Sequence, residues 1–382
     1  MPHLGVNENT RASLLGGVPA FSGAVSFAAD IITNLFGRQT MNPIEASSTR
    51  ILVTGGSGFI GTNLVESCIA RGEIVLNLDI NTPRNTKHTR YWRKIDLLKL
   101  GELRNAVVDF DPHYIYHMGA RTDLDGRTVD DYCANTVGVS NLISACSGLR
   151  SLKRTIFASS RLVCKIGYQP KDEFDYSPTT PYGESKVIGE HIVRNSNGIP
   201  CSWLIVRPTS IWGPWFDIPY KTFFITVARG VYFHPGTRVI HKSFGYMGNT
   251  VHQLHRLMDA KDEIVAGKTF FLQDYPPTNL SELANCIQET MGARKIRSAP
   301  LIALRFAAIA GDALKAVGWK NPPITRFRLN NLLTDMTYDS RALEAIVGPL
   351  PYSMQRGVID TVAWMCRYDD VRNLPACRDP LR

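Results

Sequence analysis

The chain has 382 residues, 44% of them hydrophobic, enough for a substantial core in one large or two moderate domains. Its 43 basic and 34 acidic side chains leave a formal charge of +9, but no dense Lys/Arg run occurs, which argues against a nucleic-acid-binding stripe. The eight cysteines, Cys366 and Cys377 among them, show no C-x-x-C and no metal-type spacing with histidine; reduced, mostly buried thiols of a cytoplasmic protein are expected.

Residues 1–48 precede the first regular pattern. Residues 14–36 are fairly apolar, but Pro19, Asp30 and several glycines interrupt them. A membrane span needs about 20 predominantly apolar residues, so a weakly ordered extension or a short amphipathic helix is expected here, and no membrane partner. Met41 is an alternative start. From residue 49 strand and helix patterns alternate. Strands are predicted at 51–54, 74–79, 113–118, 154–159 and 201–206. Helices are predicted at 59–71, 100–108 and 181–195, with apolar residues at helical spacing through 128–147. Such alternation implies an α/β fold, a doubly wound parallel sheet with helices on both faces. Ligands of such sheets sit at the carboxyl ends of the strands. Thr54-Gly55, Asp79, Gly119-Ala120, Ser159-Ser160 and Arg207-Pro208 should therefore line one cleft. Beyond Pro208 prolines and aromatics cluster, and short helices are predicted at 279–291, 300–317 and 352–367. Residues 49–207 thus read as a dinucleotide-binding domain. Residues 208–382 read as a smaller, partly helical cap that binds substrate, with some segments returning to the first domain.

Two local patterns carry chemistry. The run Gly55-Gly56-Ser57-Gly58-Phe59-Ile60-Gly61 joins the first strand to the first helix and fits G-x-G-x-x-G. A turn without side chains lets backbone N–H groups approach a pyrophosphate at a helix N-terminus. Asp79 closes the next strand, where a carboxylate can hold the ribose 2′-hydroxyl of NAD and repel the 2′-phosphate of NADP; Arg84, nearby in sequence, would soften that repulsion. The second pattern is Tyr182 and Lys186, at i and i+4 on one helix face. A neighbouring ammonium favours the phenolate of a tyrosine, whose ordinary pKa is about 10, and so equips it as a general base.

The order Thr54 to Gly61, Asp79, Asp96-Leu97, His117 to Ala120, Asn135 to Asn141, Ser159-Ser160, Tyr182 to Lys186 and Arg207 to Pro214 resembles the extended short-chain dehydrogenase/reductases, specifically their NAD-dependent epimerase/dehydratase branch. The resemblance spans about residues 50–370 and implies a Rossmann-type fold with NAD as cofactor. Gly55, Gly58, Phe59, Ile60 and Gly61 would hold the pyrophosphate. Asp79 would bind the adenosine ribose, Asp96 and Leu97 would face the adenine, and Met118, Gly119 and Ala120 would run beside the cofactor. Ser160 would bond the reacting oxygen, Tyr182 would exchange its proton, and Lys186 would tune Tyr182 and reach the nicotinamide ribose. Pro208 and Ser210 fall where the family turns from cofactor to substrate, and Asn135 would brace the site. Thr122, in a loop after the third strand, and Lys242, in the cap, are further substrate-binding candidates. A metal is not implied. A homodimer through the helix bearing Tyr182 and Lys186 and the long helix before it is.

The departures from the family narrow the reaction. Arg161 and Leu162 stand where sugar-nucleotide dehydratases carry Asp-Glu, which removes the acid and base that water elimination needs. Ser210 replaces an Asn common in epimerases, and Val251-His252-Gln253-Leu254 replaces Val-Asp-Asp-Leu. The resemblance then implies NAD-dependent epimerisation of a nucleotide-activated sugar through a transient keto sugar. The alternatives are a one-way reductase or dehydrogenase of a keto sugar or other alcohol, and a non-catalytic NAD-sensing protein.

Overall fold

The computed structural model describes residues 49–319, 324–368 and Cys377; the expectations for residues 1–48 lie outside them. Seven strands, β1 (Arg50–Thr54), β2 (Ile74–Asp79), β3 (Trp92–Lys94), β4 (Tyr114–His117), β5 (Arg154–Ala158), β6 (Ser202–Pro208) and β7 (Thr269–Leu272), form one sheet. Their order is β7-β6-β5-β4-β1-β2-β3, and every pairing is parallel. The order reverses beside β1, between β2 and β4, which opens the crevice where such folds bind ligands. This is the Rossmann-type doubly wound sheet.

The strands other than β3 are largely buried on both faces, and their two-residue period sorts side chains between two cores. Ile51, Val53, Ile156, Leu204 and Val206 pack with Leu64, Val65 and Cys68 of α1 (Phe59–Ala70). Leu52, Phe157 and Ile205 face the opposite core, built from α2 (Leu100–Phe110), α3 (Cys133–Cys146) and α4 (Pro181–Arg194) through Leu103, Leu142 and Val193. Two sheet strands escape the sequence pattern. β3 has three half-exposed or exposed residues and no apolar run, and β7 lies beyond the cap's first segments, where chain order no longer announces a sheet strand.

The cap has its own aromatic core. Trp212, Phe216 and Phe224, the last on α5 (Tyr220–Ala228), pack with Leu280, Leu283 and Ile287 of α7 (Leu280–Thr290) and Val358 and Met365 of α8 (Met354–Tyr368). Between α5 and α7, α6 (Met247–Asp259) packs its buried Leu254, Leu257 and Met258 against the sheet, so this helix belongs to the first core rather than to the cap. Among the described residues no helix is long and apolar enough to cross a membrane. One expectation is corrected: Cys366 and Cys377 form a disulfide, with Cα atoms 5.1 Å apart. The remaining six cysteines are free thiols. An eleven-residue separation matches no short cysteine motif, and only the path of the chain brings the two together.

One buried ion pair ties α4 to β6. Glu190, 2% exposed, accepts from Arg207 Nε and Nη2, both at 2.8 Å, and Arg207 is fully buried. Ser159 Oγ and Tyr176 Oη donate to the same carboxylate at 2.5 and 2.8 Å. Burial opposes the charge, yet the Arg207 hydrogen bonds and charge, with those of Ser159 and Tyr176, hold Glu190 below the usual carboxylate range. Removing one partner of such a pair strands the other. Glu190→Gln should cost about 3–5 kcal/mol in denaturant unfolding, whereas Glu190→Met combined with Arg207→Met should recover much of it. A loss under about 1 kcal/mol for the single variant would contradict this account.

Candidate active site

The glycine turn is packed too closely for side chains. Gly55 has φ +71°, and a Cβ on it would lie 2.6 Å from Gly119 Cα. A Cβ on Gly61 would lie 2.1 Å from Gly55 O. Gly58 precedes α1, whose first turn carries no acidic residue and receives no side-chain cap. The orphan N–H groups of Phe59, Ile60 and their neighbours are therefore left for an anion. Asp79 ends β2 beside this turn. Its carboxylate accepts from Ser57 N at 3.0 Å and Asn81 N at 2.9 Å, and burial raises its pKa against those two bonds. Arg84 is engaged elsewhere, donating to Trp215 O at 2.9 Å and lying 3.8 Å from Asp217.

The other wall of the crevice follows β3 and β4. Asp96 is half-buried and accepts from Leu98 N at 2.9 Å, fixing the turn that presents buried Leu97 to Gly119. Met118 N donates to Thr54 O at 3.0 Å, Gly119 N to Thr54 Oγ1 at 3.2 Å, and Ala120 follows at the rim. A glycine turn, an uncapped helix start, an acid with its oxygens fixed, and a flat Met118-Gly119-Ala120 edge fit a dinucleotide with a free 2′-hydroxyl.

Ser160, Tyr182 and Lys186 converge at the end of β5. Thr180 caps α4 through Gly183 N at 3.1 Å, and Pro181 occupies the first helical position, so the helix starts one residue before Tyr182. Tyr182, 7% exposed, lies near enough to Ser160 to feel its hydroxyl, and Tyr132 meets its ring edge-on at 5.8 Å. Lys186 is buried one turn on and donates from Nζ to Ala158 O at 2.9 Å. Asn135 donates to Ser185 Oγ and to Arg121 O, both at 3.0 Å, and so braces α3 against α4.

The electrostatics differ from the sequence expectation. Burial pushes the Tyr182 phenol up to about 12; the Ser160 hydrogen bond and then the charge of Arg161 oppose it. The Lys186 ammonium donates to the Ala158 carbonyl rather than to the phenol. Burial pushes Lys186 itself down to about 8, against the pull of Glu190.

The substrate-side candidates are more scattered. Pro208 is half-buried at the end of β6, and Ser210 is fully buried with an unpartnered hydroxyl. Thr122 is exposed on its loop. Lys242 is 4% exposed and donates to Asn331 O at 2.7 Å and to Thr334 O, so its ammonium is occupied within the cap. Two residues given no role from sequence belong to the site. Glu190 continues the Tyr182–Lys186 face at the next i+4 step, a signal the helical period already carried. His117 bonds Thr54 Oγ1 at 2.7 Å beneath the glycine turn, and burial followed by the charge of Lys186 pushes it down to about 3.

The lysine gives a pH signature. Its ordinary value is 10.5, and in the fold it lies at about 8. Between those values the unfolded chain binds a proton that the folded chain does not, so this group's burial penalty is complete below pH 8 and fades as pH rises toward 10.5. Lys186→Met removes the penalty, worth roughly 2–4 kcal/mol. The variant should melt above the parent at pH 7, and the gap should close as the melts are taken toward pH 10. A gap independent of pH would exclude a buried ammonium.

Similarity to known proteins matches this geometry. The NAD dependent epimerase/dehydratase family profile covers residues 51–270. The chain is 26% identical over 332 residues to a 2-alkyl-3-oxoalkanoate reductase of Stenotrophomonas maltophilia, covering 81% of this chain and 97% of that one. It is 29% identical over 268 residues to a 3-beta-hydroxysteroid dehydrogenase of Mycolicibacterium neoaurum, covering 64% and 71%. The solved UDP-glucose 4-epimerase of Thermus thermophilus, in complex with NAD, superposes with a TM-score of 0.62 at 20% identity, covering 83% of this chain and 98% of that one. With more than half its length matched by the profile, the chain belongs to the NAD-dependent epimerase/dehydratase family, and NAD is its cofactor.

Proposed function

We propose that this chain epimerises a secondary-alcohol carbon of a nucleotide-activated sugar through a keto intermediate. The observation that carries the reading is the burial of Ser160, Tyr182 and Lys186 at the carboxyl end of β5, where Lys186 Nζ donates to Ala158 O, on a parallel sheet whose β2 ends at Asp79. The Ser160 hydroxyl holds the reacting oxygen. Ionised Tyr182 Oη, its own proton first passed to solvent, takes the hydroxyl proton as the carbon loses hydride, and returns a proton to the same oxygen once the opposite face has been reduced. The bound NAD supplies the hydride acceptor, the returning hydride and, when oxidised, a positive charge. Tyr182 rests as a neutral phenol in the ligand-free protein, so Ser160 and Arg161 act in the direction that proton abstraction requires. Lys186, held by Ala158 O, is set to bond the cofactor ribose. Gly55 to Gly61 with Asp96, Leu97, Met118 to Ala120 and Pro208 are the proposed cofactor contacts, and Thr122 and Ser210 the proposed substrate contacts. Asp79 favours NAD over NADP, which suits a reaction that regenerates its own cofactor. A homodimer through α3 and α4 belongs to the same proposal; Val137 of α3 is 47% exposed.

A one-way dehydrogenase or reductase is the second reading. Lys242 favours it, because an ammonium occupied by the Asn331 and Thr334 carbonyls is not presented to a diphosphate. So do the oxoalkanoate reductase and the steroid dehydrogenase among the relatives. Incubation with trace NAD and a panel of UDP-, GDP- and dTDP-sugars separates the two: an epimerase yields isomers without net NADH, a dehydrogenase yields NADH in step with product.

Two variants test the residues. Tyr182→Phe should lower turnover by roughly 10²–10⁴-fold while NAD affinity stays within error; an unchanged rate would exclude Tyr182 as the proton-transfer group, and a parent protein that binds NAD but turns over nothing would leave an NAD-sensing role. Asp79→Asn should weaken NAD by roughly tenfold and narrow its preference over NADP, the scale of one charge-assisted hydrogen bond. Titration with each dinucleotide, followed by protein fluorescence, measures both.

A further inference from the structure

The helix Leu301–Ala316 packs against the helix Arg326–Leu333, yet of its 16 residues only Ala308 and Gly311 are buried. Ile302, Phe306, Ile309, Ala313 and Val317 follow one another at steps of four, three, four and four residues. That spacing stacks them in one stripe along the face opposite Ala308 and Gly311. Ile302, Phe306 and Val317 are 68, 70 and 81% exposed, and Ile309 and Trp319 are 52 and 51% exposed. Single exposed apolar side chains are ordinary on a protein surface. A continuous stripe of about 22 Å is not, and marks a place where something docks.

The same stretch carries most of the chain's net charge. Residues 291–330 hold eight basic side chains and one acid, Asp312, a net of +7 against +9 for all 382 residues. Asp312 is itself paired with Arg326. Arg294, Lys295 and Arg297 are exposed on the segment leading into the helix, and Arg305 and Lys315 are exposed on the helix. A second copy of this chain seated on the stripe would bring like charges together. A surface of anionic headgroups over acyl chains answers both the cations and the apolar stripe. Trp319, just past the helix, suits the headgroup level. The helix itself is no span, being 16 residues long and carrying Arg305, Asp312 and Lys315. The expectation of no membrane partner rests on spanning length, which a helix lying in the plane of the surface does not need.

We propose that the helix Leu301–Ala316, continued by Val317 and Trp319, docks this protein on an anionic phospholipid surface. The helix lies in the plane of that surface, with Ile302, Phe306 and Ile309 at the acyl boundary and the neighbouring cations among the headgroups. The attachment is peripheral and weakens as salt screens those cations. It is independent of the reaction proposed above.

Flotation of the full chain with vesicles tests this, using phosphatidylcholine and phosphatidylserine in equal parts against phosphatidylcholine alone. The mixed vesicles should bind at least about tenfold tighter, the scale of one or two surface cations, and high salt should narrow the difference. Phe306→Gln combined with Ile309→Gln should weaken binding to the mixed vesicles by at least about tenfold, the scale of one large apolar side chain withdrawn from water, with NAD affinity unchanged. Should that variant fail to fold, Val317→Gln with Trp319→Gln reads the same loss. Arg294→Gln with Lys295→Gln should cost about tenfold on the mixed vesicles and nothing on phosphatidylcholine. Equal binding to both vesicles, or to neither, overturns the proposal. So does an affinity that survives the Phe306 and Ile309 substitutions, which would place the attachment elsewhere in the chain, residues 14–36 included. A lipid-free dimer that the same substitutions dissociate in sedimentation also overturns it, because the stripe would then belong to a second copy.

Discussion

The site depends on one helix face meeting one strand end. Tyr182, Lys186 and Glu190 recur every four residues along α4, and they meet Ser160, Ala158 and Ser159 at the end of β5. Each contact is polar and each is buried, so none can be given up to water without leaving a dry donor or acceptor behind. The Glu190–Arg207 pair clamps the far end of this face to β6, and the capped start at Thr180 and Pro181 fixes the near end. Between two fixed ends, the rotation of α4 about its axis is set, and with it the direction of the Tyr182 phenol.

That arrangement also explains the unusual protonation states. Packing a lysine and a tyrosine into a dry seam disfavours both charges, so Lys186 falls to about 8 and Tyr182 rises to about 12. Each is thereby moved in the direction that makes a proton exchange responsive to what enters the crevice: a new charge near the phenol acts through little water. Nη1 of Arg161 is also buried without a hydrogen-bond partner. The hydrophobic faces of the sheet and the buried Glu190–Arg207 pair hold the frame around this seam.

The sheet and the glycine turn were largely legible from sequence, because their signals are local. Apolar runs of four to six residues alternating with helical spacing are the direct consequence of strands buried on both faces. The close approach of Gly55 to Gly119 and of Gly61 to Gly55 forbids any other residue type, so the turn announces itself in the sequence. β3 was illegible because an edge strand of three half-exposed residues needs no apolar pattern. β7 and α6 were illegible as parts of the sheet layer because they enter it after the chain has already left for the cap. The Cys366–Cys377 bond was illegible because it reports a Cα separation, which spacing along the chain does not encode.

By itself the sequence determined the fold class and the glycine turn, which follow from a period and from side chains that sterics exclude, while Asp79 and the proton-transfer candidates came from motif order and the family resemblance. Only the tertiary structure decided where charges act. It turned the Lys186 ammonium onto a backbone carbonyl instead of the phenol and locked Lys242 into the cap. Coulomb interactions depend on distance and burial, and both are properties of the folded chain rather than of residue order.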